Sequence, residues 1–366
     1  MSLKKNIRFI HKWLGLTSGL IVLIVSITGC IYCFHDEIKD LTRDYRKVEI
    51  QDKPYILPSQ LQQNAQSLFP EATTDMVVFY GKDRPAIVYA LIKEKAYNLY
   101  FNPYSGKLLK QENIEEDFFV IIEDLHMHLW LPEKIGKQVV GIATLIFILM
   151  LFSGIVLWWP KKRKDVKKRI KIKWNAKWRR VNYDWHNVTG FYISLLVLVM
   201  ALTGLTFSYE WMHKAMYVVG NLGREYPKEV TPAIDSTLTS NSNTNPMDMA
   251  LSQAFKAKPN DEMFFVWYQG EKLPIITGSY PDAFGFDHQS NLHFHPKTGA
   301  LLSSHLYENK NPGTQLQEMN YGLHTGQFFG LAGKIIAFTL SLLAAALPVT
   351  GFIIFWGRKN KKAKKA

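Results

Sequence analysis

The chain carries one pattern twice, each time opening a long apolar run. His11-Lys-Trp-Leu-Gly15 opens the first run and His186-Asn-Val-Thr-Gly190 the second. Eighteen residues after each histidine, a Thr-Gly pair ends at Gly29 or Gly204. Eighteen residues is about five turns of α-helix, so each histidine and its two glycines share one helix face. The pattern predicts a histidine at the same end of two membrane helices, where an ionisable side chain is costly enough to mark a functional site.

With 47% hydrophobic residues the composition reads as that of a soluble protein, but the apolar residues are clustered. Residues 14–34, 139–159, 191–209 and 335–356 are each nearly free of charge and about twenty long, the length that crosses a bilayer. Trp185 and Trp211 flank the third run as interfacial anchors. Residues 161–180 hold twelve Lys and Arg against Asp165 alone; the tail after Trp356 holds six more and the first twelve residues four. The positive-inside rule puts all three segments, and both termini, in the cytoplasm. The whole chain is +13, so the remainder is net −8 and the basic character reports topology rather than nucleic-acid binding. Anionic lipid is the expected neighbour of these runs.

The second run of each half is matched as well. Leu125-His126 precedes one and Leu323-His324 the other; Gly136-Lys137 and Gly333-Lys334 follow, then Gly154 and Gly351, each seventeen residues past its lysine. One residue of slack separates His from Gly-Lys in the two copies. Between the runs, Phe101-Asn-Pro103-Tyr-Ser-Gly106-Lys-Leu-Leu109 matches Phe294-His-Pro296-Lys-Thr-Gly299-Ala-Leu-Leu302, and each reads as a hairpin turn. Strands are expected at 76–80, 86–92 and 97–101, then at 263–268, 273–278 and 292–295. Helices are expected at 58–69, with Ser59 as N-cap, and at 247–255. Residues 231–245, rich in Ser, Thr and Asn, read as a loose loop.

The H-x-x-x-G motif with its later Thr-Gly, the Leu-His before the second helix and the P-x-x-G-x-L-L hairpin resemble the PepSY-associated transmembrane family over nearly the whole chain. Within it the layout is similar to the FoxB-type inner-membrane ferric-siderophore reductases. The resemblance implies an integral membrane α+β protein. Its four transmembrane helices form two helix–domain–helix repeats, each carrying a small periplasmic PepSY-like α+β domain. The expected boundaries are 1–36 (helix one), 37–123 (first outer domain), 124–160 (juxtamembrane segment and helix two) and 161–184 (basic cytoplasmic loop). Then follow 185–212 (helix three), 213–320 (second outer domain), 321–357 (juxtamembrane segment and helix four) and 358–366 (basic tail). The membrane is expected to be the bacterial inner membrane, with both domains in the periplasm.

A b-type haem held by two imidazoles needs one nitrogen on each porphyrin face, and the repeat sets His11 and His186 at equal depth. Gly15 and Gly190, one turn further in, remove bulk where a flat ring packs. The plainer account is two interfacial histidines. His126 and His324 match across the halves on the outer side, and the resemblance favours a second haem there; the plainer account is a juxtamembrane turn. His128, two residues from His126, and His35, at the outer end of helix one, are fallback ligands. Glu210 stands where the repeat would match His35, and His213 has a similar status. His293, His295 and nearby His288 have a spacing that binds Zn or Cu, but a solvated strand face accounts for them better. Cys30 and Cys33, one turn apart in an apolar run, read as buried structural thiols. Ile27-Thr28-Gly29-Cys30 also fits a lipoprotein cleavage site, but the second copy explains its Thr-Gly without a cysteine.

Two haems between four helices would carry electrons across the membrane to the resemblance's implied acceptor, a periplasmic ferric siderophore. No Gly-x-Gly-x-x-Gly fingerprint or flavin or nicotinamide domain is present. The donor is therefore expected to be a separate cytoplasmic reductase or a membrane quinol. The alternatives are a haem-free PepSY-type sensory or regulatory protein binding an envelope partner, and a transporter. The aliphatic helix midsections argue against a pore.

Overall fold

The computed structural model describes residues 3–160, 162–227, 232–235, 237–238 and 244–363, without the side chains of 358–363. Lys161, the end of the basic tail and, in the expected loop at 231–245, residues 231, 236 and 239–243 lie outside the described residues. The helices are α1 (Leu3–Tyr32), α2 (His35–Thr42), α3 (Pro58–Leu68), α4 (Phe118–His128), α5 (Glu133–Trp158) and α6 (Val166–Arg169). Then come α7 (Trp178–Ser208), α8 (Glu210–Gly220), α9 (Pro246–Ala257), α10 (Pro312–Glu318), α11 (Asn320–Thr325) and α12 (Gly330–Ala363). The strands are β1 (Thr73–Phe79), β2 (Ala86–Ile92), β3 (Lys95–Phe101), β4 (Leu108–Asn113), β5 (Met263–Trp267), β6 (Ile275–Tyr280), β7 (Ser290–Phe294) and β8 (Leu301–His305). Two units form: Met1–Phe34 with Ile122–His213 and Leu323–Ala366, and His35–Ile121 with Lys214–Gly322.

The first unit is helical. Its helices α1, α5 and α7, and the stretch Gln327–Gly357 containing most of α12, are long and apolar enough to cross a membrane. They make a closed ring in which α1 packs on α5 and α12, and α7 packs on the same two. The helices run past the apolar stretches seen in the sequence, so that His11 and His186 lie inside helices rather than at their mouths. Gly136 explains one of the matched glycines. A Cβ there would fall 2.2 Å from the His128 carbonyl, and one at Gly333 2.0 Å from that of Gly326. These glycines let the chain before α5 and α12 fold back against the start of each helix, and that chain carries His126 and His324. Cys30 and Cys33 are buried, free thiols, with Sγ donating to the carbonyls of Phe338 (3.5 Å) and Lys334 (3.2 Å). Pro348 sits inside α12.

The second unit differs from the expected pair of separate domains. Each half supplies a four-stranded antiparallel meander, but the two join into one sheet in the order β4-β3-β2-β1-β5-β6-β7-β8. The seam is antiparallel, from Met76 opposite Trp267 to Phe79 opposite Phe264. A meander ending at β1 or β5 exposes a row of unpaired backbone groups, and pairing the two edges removes both liabilities at once. Val77, Phe79, Val88, Leu99, Val266, Ile275 and Phe294 bury one core with Leu61 and Ala65 of α3 and Leu251 and Ala254 of α9, so both halves share it. Ser59 does not cap α3, since Pro58 already occupies its first turn after Leu57. Instead Asp248 of α9 accepts from the Ser59 amide (3.0 Å) and hydroxyl (2.6 Å), tying the two sheet-covering helices together. The hairpin glycines Gly106 and Gly299 have φ of 69° and 65°, the left-handed region that glycine enters without strain.

Asp117 is a hub of this unit. It accepts from Arg43 (2.5 Å), pairs with Lys39 (3.1 Å) and receives the Phe119 amide (2.7 Å) at the start of α4. Burial opposes its charge, yet Arg43 and Lys39 hold its carboxyl below the usual range. A carboxyl held low contributes stability at neutral pH that is lost as pH falls through the lowered value. Asp117→Asn should destabilise the unit by about 3 kcal/mol at pH 7 by taking the carboxylate from Lys39 and leaving Arg43 with Glu112 alone. In melting curves across pH, the difference from wild type should close in strong acid; a pH-independent difference would contradict the assignment.

Candidate functional site

Four histidines of the helical unit are held by one device used four times. On α1, the Thr28 hydroxyl donates to the Val25 carbonyl (3.0 Å), and His126 Nδ1 lies 3.1 Å from that hydroxyl and 2.9 Å from that carbonyl. On α7, Thr203 donates to the Met200 carbonyl (2.9 Å), with His324 Nδ1 3.1 Å from the hydroxyl and 3.0 Å from the carbonyl. On α5, Ser153 donates to the Met150 carbonyl (3.1 Å) and meets His11 Nδ1 at 2.8 Å. On α12, Thr350 donates to the Leu347 carbonyl (3.0 Å) and meets His186 Nδ1 at 2.9 Å.

The tautomer follows from donor counting. A carbonyl only accepts, and each hydroxyl has spent its own proton on a carbonyl of its helix. The Val25 and Met200 carbonyls therefore require the proton on Nδ1 of His126 and His324, and we assign the same tautomer to His11 and His186 from the matching Ser153 and Thr350 hydroxyls. Each Nε2 is then a bare lone pair, the form of imidazole that binds a metal. Fixing Nδ1–H on a neighbouring hydroxyl or carbonyl also orients the ring.

Glycine completes the device, following the Ser or Thr in all four cases. A Cβ at Gly204 would stand 2.9 Å from His324 Cε1, at Gly29 3.3 Å from His126 Cε1, at Gly351 3.3 Å from His186 Cε1 and at Gly154 3.6 Å from His11 Cε1. The Thr-Gly pairs of the repeat thus serve the outer histidines on another element, not the histidine of their own helix. The hydroxyls of Thr28, Thr203, Ser153 and Thr350 escape a reading of the sequence. The [Ser/Thr]-Gly dipeptide is the signal available, and it is not specific: Ser18-Gly19 and Thr189-Gly190 have it without holding a histidine through Nδ1.

The structure brings the expected pairs together. The rings of His126 and His324 lie 6.2 Å apart between centroids and 68° between planes. His11 and His186 line one cavity of about 530 Å³ with Gly15 and Gly190, the apolar Val22, Leu151 and Leu347, and Arg8 and Lys12. Of the fallback ligands, His128 bonds Asp124 through Nδ1 (2.8 Å) with its Nε2 buried and unpartnered, and His35 pairs with Asp36 (3.2 Å) in the other unit. His295 is buried rather than on a solvated strand face. Its Nε2 meets the Asp235 carbonyl (2.9 Å), and Nδ1 accepts the turn amides of Lys297 and Thr298, as Asn102 Oδ1 accepts those of Tyr104 and Ser105. His293 Nδ1 meets the Ser303 hydroxyl (3.0 Å). Among the described residues no three His, Cys, Asp or Glu side chains converge as a metal site.

A family model described as the PepSY-associated TM region matches residues 8–358, from the first span to the end of the fourth. The chain belongs to that family. With its four span-length helices, this PepSY-associated chain is a membrane protein of α+β class. No curated protein matches it.

The glycine distances give a graded test. Gly204→Ala forces the His324 ring to shift and should cost about 1–3 kcal/mol, the usual range for overpacking. Gly154→Ala makes an ordinary contact with His11 and should be nearly neutral. Melting temperatures of the detergent-purified variants check this; equal losses for both would refute the proposed role of these glycines.

Proposed function

We propose that this chain is a haem-containing reductase of the bacterial inner membrane, passing electrons to a periplasmic ferric siderophore and releasing Fe(II) for uptake. The observation that carries the haem assignment is the shared setting of four imidazoles, each with Nδ1 held against a Ser or Thr hydroxyl and, among the described residues, no hydrogen bond at Nε2. Two imidazole donors per site would suit a haem iron, and the His126 and His324 rings, 6.2 Å apart between centroids, stand close enough to hold one group between them. The cavity shared by His11 and His186, about 530 Å³, lies within the ~300–1,000 Å³ range of cofactor pockets. The residues present therefore fit two bis-histidine b haems, His11 with His186 and His126 with His324.

Haem b bound at such sites supplies a one-electron relay. The chain's own residues orient each imidazole and, through Val22, Leu151 and Leu347, line part of the inner site with hydrocarbon. The basic 161–180 segment and the basic ends favour a cytoplasmic location for all three. In that orientation His11 and His186 are near the cytoplasm and His126 and His324 near the periplasm. The electron donor is then a separate cytoplasmic reductase or a membrane quinol, with the basic loop available to an acidic flavoprotein or to anionic lipid. The siderophore assignment rests on the resemblance to FoxB-type reductases. One electron per Fe(III) gives Fe(II), which hard oxygen ligands hold less well.

Visible spectra of the purified chain, oxidised and dithionite-reduced, with haem quantified, test this reading. Two bis-histidine haems per chain are expected. His11→Ala or His186→Ala should remove one and His126→Ala or His324→Ala the other. The reduced protein should be reoxidised by a ferric siderophore, with Fe(II) trapped by a colorimetric chelator. A haem-free chain from haem-replete cells would overturn the proposal in favour of a sensory membrane protein.

A further inference from the structure

The inner cavity is charged from one helix only. Arg8 and Lys12 of α1 flank His11 and line the cavity. The repeat-matched positions around His186 on α7 are Tyr183 and Asn187, which line it as well and are neutral. The repeat keeps the histidine and drops the charge, so the cations meet a need that the two helices do not share. Neither cation has a carboxylate partner among the described residues. Lys12 Nζ instead rests over the rings of Phe9, Trp13 and Phe355, at 5.2, 4.5 and 5.9 Å from their centroids. Such rings orient an ammonium without neutralising it. The acid near His186 on α7, Asp184, is already taken by Arg180 at 2.9 Å.

We infer that Arg8 and Lys12 bind the carboxylates of the ligand that fills the inner cavity. The inference rests on the haem reading of that cavity, where the carboxylates would be the two porphyrin propionates. A guanidinium takes a carboxylate through two parallel N–H bonds, and an ammonium adds a point charge beside it. Tyr183 and Asn187 leave the α7 side polar but uncharged, so the macrocycle has one preferred orientation in a site whose histidines are otherwise related by the repeat. Anionic lipid phosphate is the other source of such charge at this depth. Against it stands the position of both cations on the wall of the same cavity as His11 and His186.

The test is a titration of the full-length chain, prepared haem-free in phosphatidylcholine nanodiscs, with haem b and with its dimethyl ester, whose propionates carry no charge. The His11→Ala/His186→Ala variant reports the outer site alone and is subtracted. Wild type should prefer haem b at the inner site by at least about tenfold, as expected for charge-assisted carboxylate binding. Arg8→Gln/Lys12→Gln should shrink the preference to below about threefold with the bis-histidine spectrum kept, and Arg8→Lys should restore most of it. Equal affinity of wild type for both porphyrins overturns the inference while leaving the haem reading standing. Absence of any inner-site binding overturns the haem reading itself. If the glutamine variants alter only the response to added phosphatidylglycerol, with the haem-to-ester ratio unchanged, the cations serve lipid and the inference fails.

Discussion

An imidazole buried between helices must account for both of its nitrogens, and the helical unit is arranged around that requirement. One nitrogen is protonated and needs an acceptor; the other is a lone pair. Inside a span each backbone carbonyl already accepts one helix bond and has only its second lone pair to offer, as Val25 and Met200 do to His126 and His324. A Ser or Thr that bonds its own i−3 carbonyl offers a hydroxyl lone pair to the Nδ1–H of a neighbouring ring. The following glycine removes the Cβ that would keep that ring away. Four histidines, four hydroxyls and four glycines thereby leave four Nε2 lone pairs unspent, and the chemistry of the chain is concentrated in those atoms.

The same constraint explains glycines that look unrelated to any site. Gly136 and Gly333 are not near an imidazole nitrogen, but they let the polypeptide fold back closely before α5 and α12. Without that approach the residues carrying His126 and His324 would not reach Thr28 and Thr203. Close backbone packing at one point in the chain thus decides whether a side chain some ten residues earlier can bond its acceptor.

In the second unit the governing constraint is the exposed strand edge. Each meander leaves one edge, β1 or β5, with nothing to pair it from its own half. Joining the two produces one continuous sheet and one shared core, fastened again above the sheet by Asp248 and Ser59. The buried charges about Asp117 fix α2 and the start of α4 to the first half in a similar way, by giving each cation a partner that water no longer supplies.

Four span-length helices and the juxtaposition of His11 with His186 and of His126 with His324 were legible in the chain itself. Length and an internal repeat are local or self-referential signals that need no knowledge of neighbours. Most strand positions followed from alternation and from the P-x-x-G turns, whose glycines need a left-handed φ. What the tertiary structure alone decided were the facts that depend on which elements meet. The Thr-Gly pairs hold a histidine from another element, His295 is a buried turn organiser, and two expected domains share one sheet. Asp248 does the work at α3 that Ser59 was expected to do. Hydrogen-bond partners and strand edges are chosen by proximity in space, and a linear pattern carries no distance between residues a hundred positions apart.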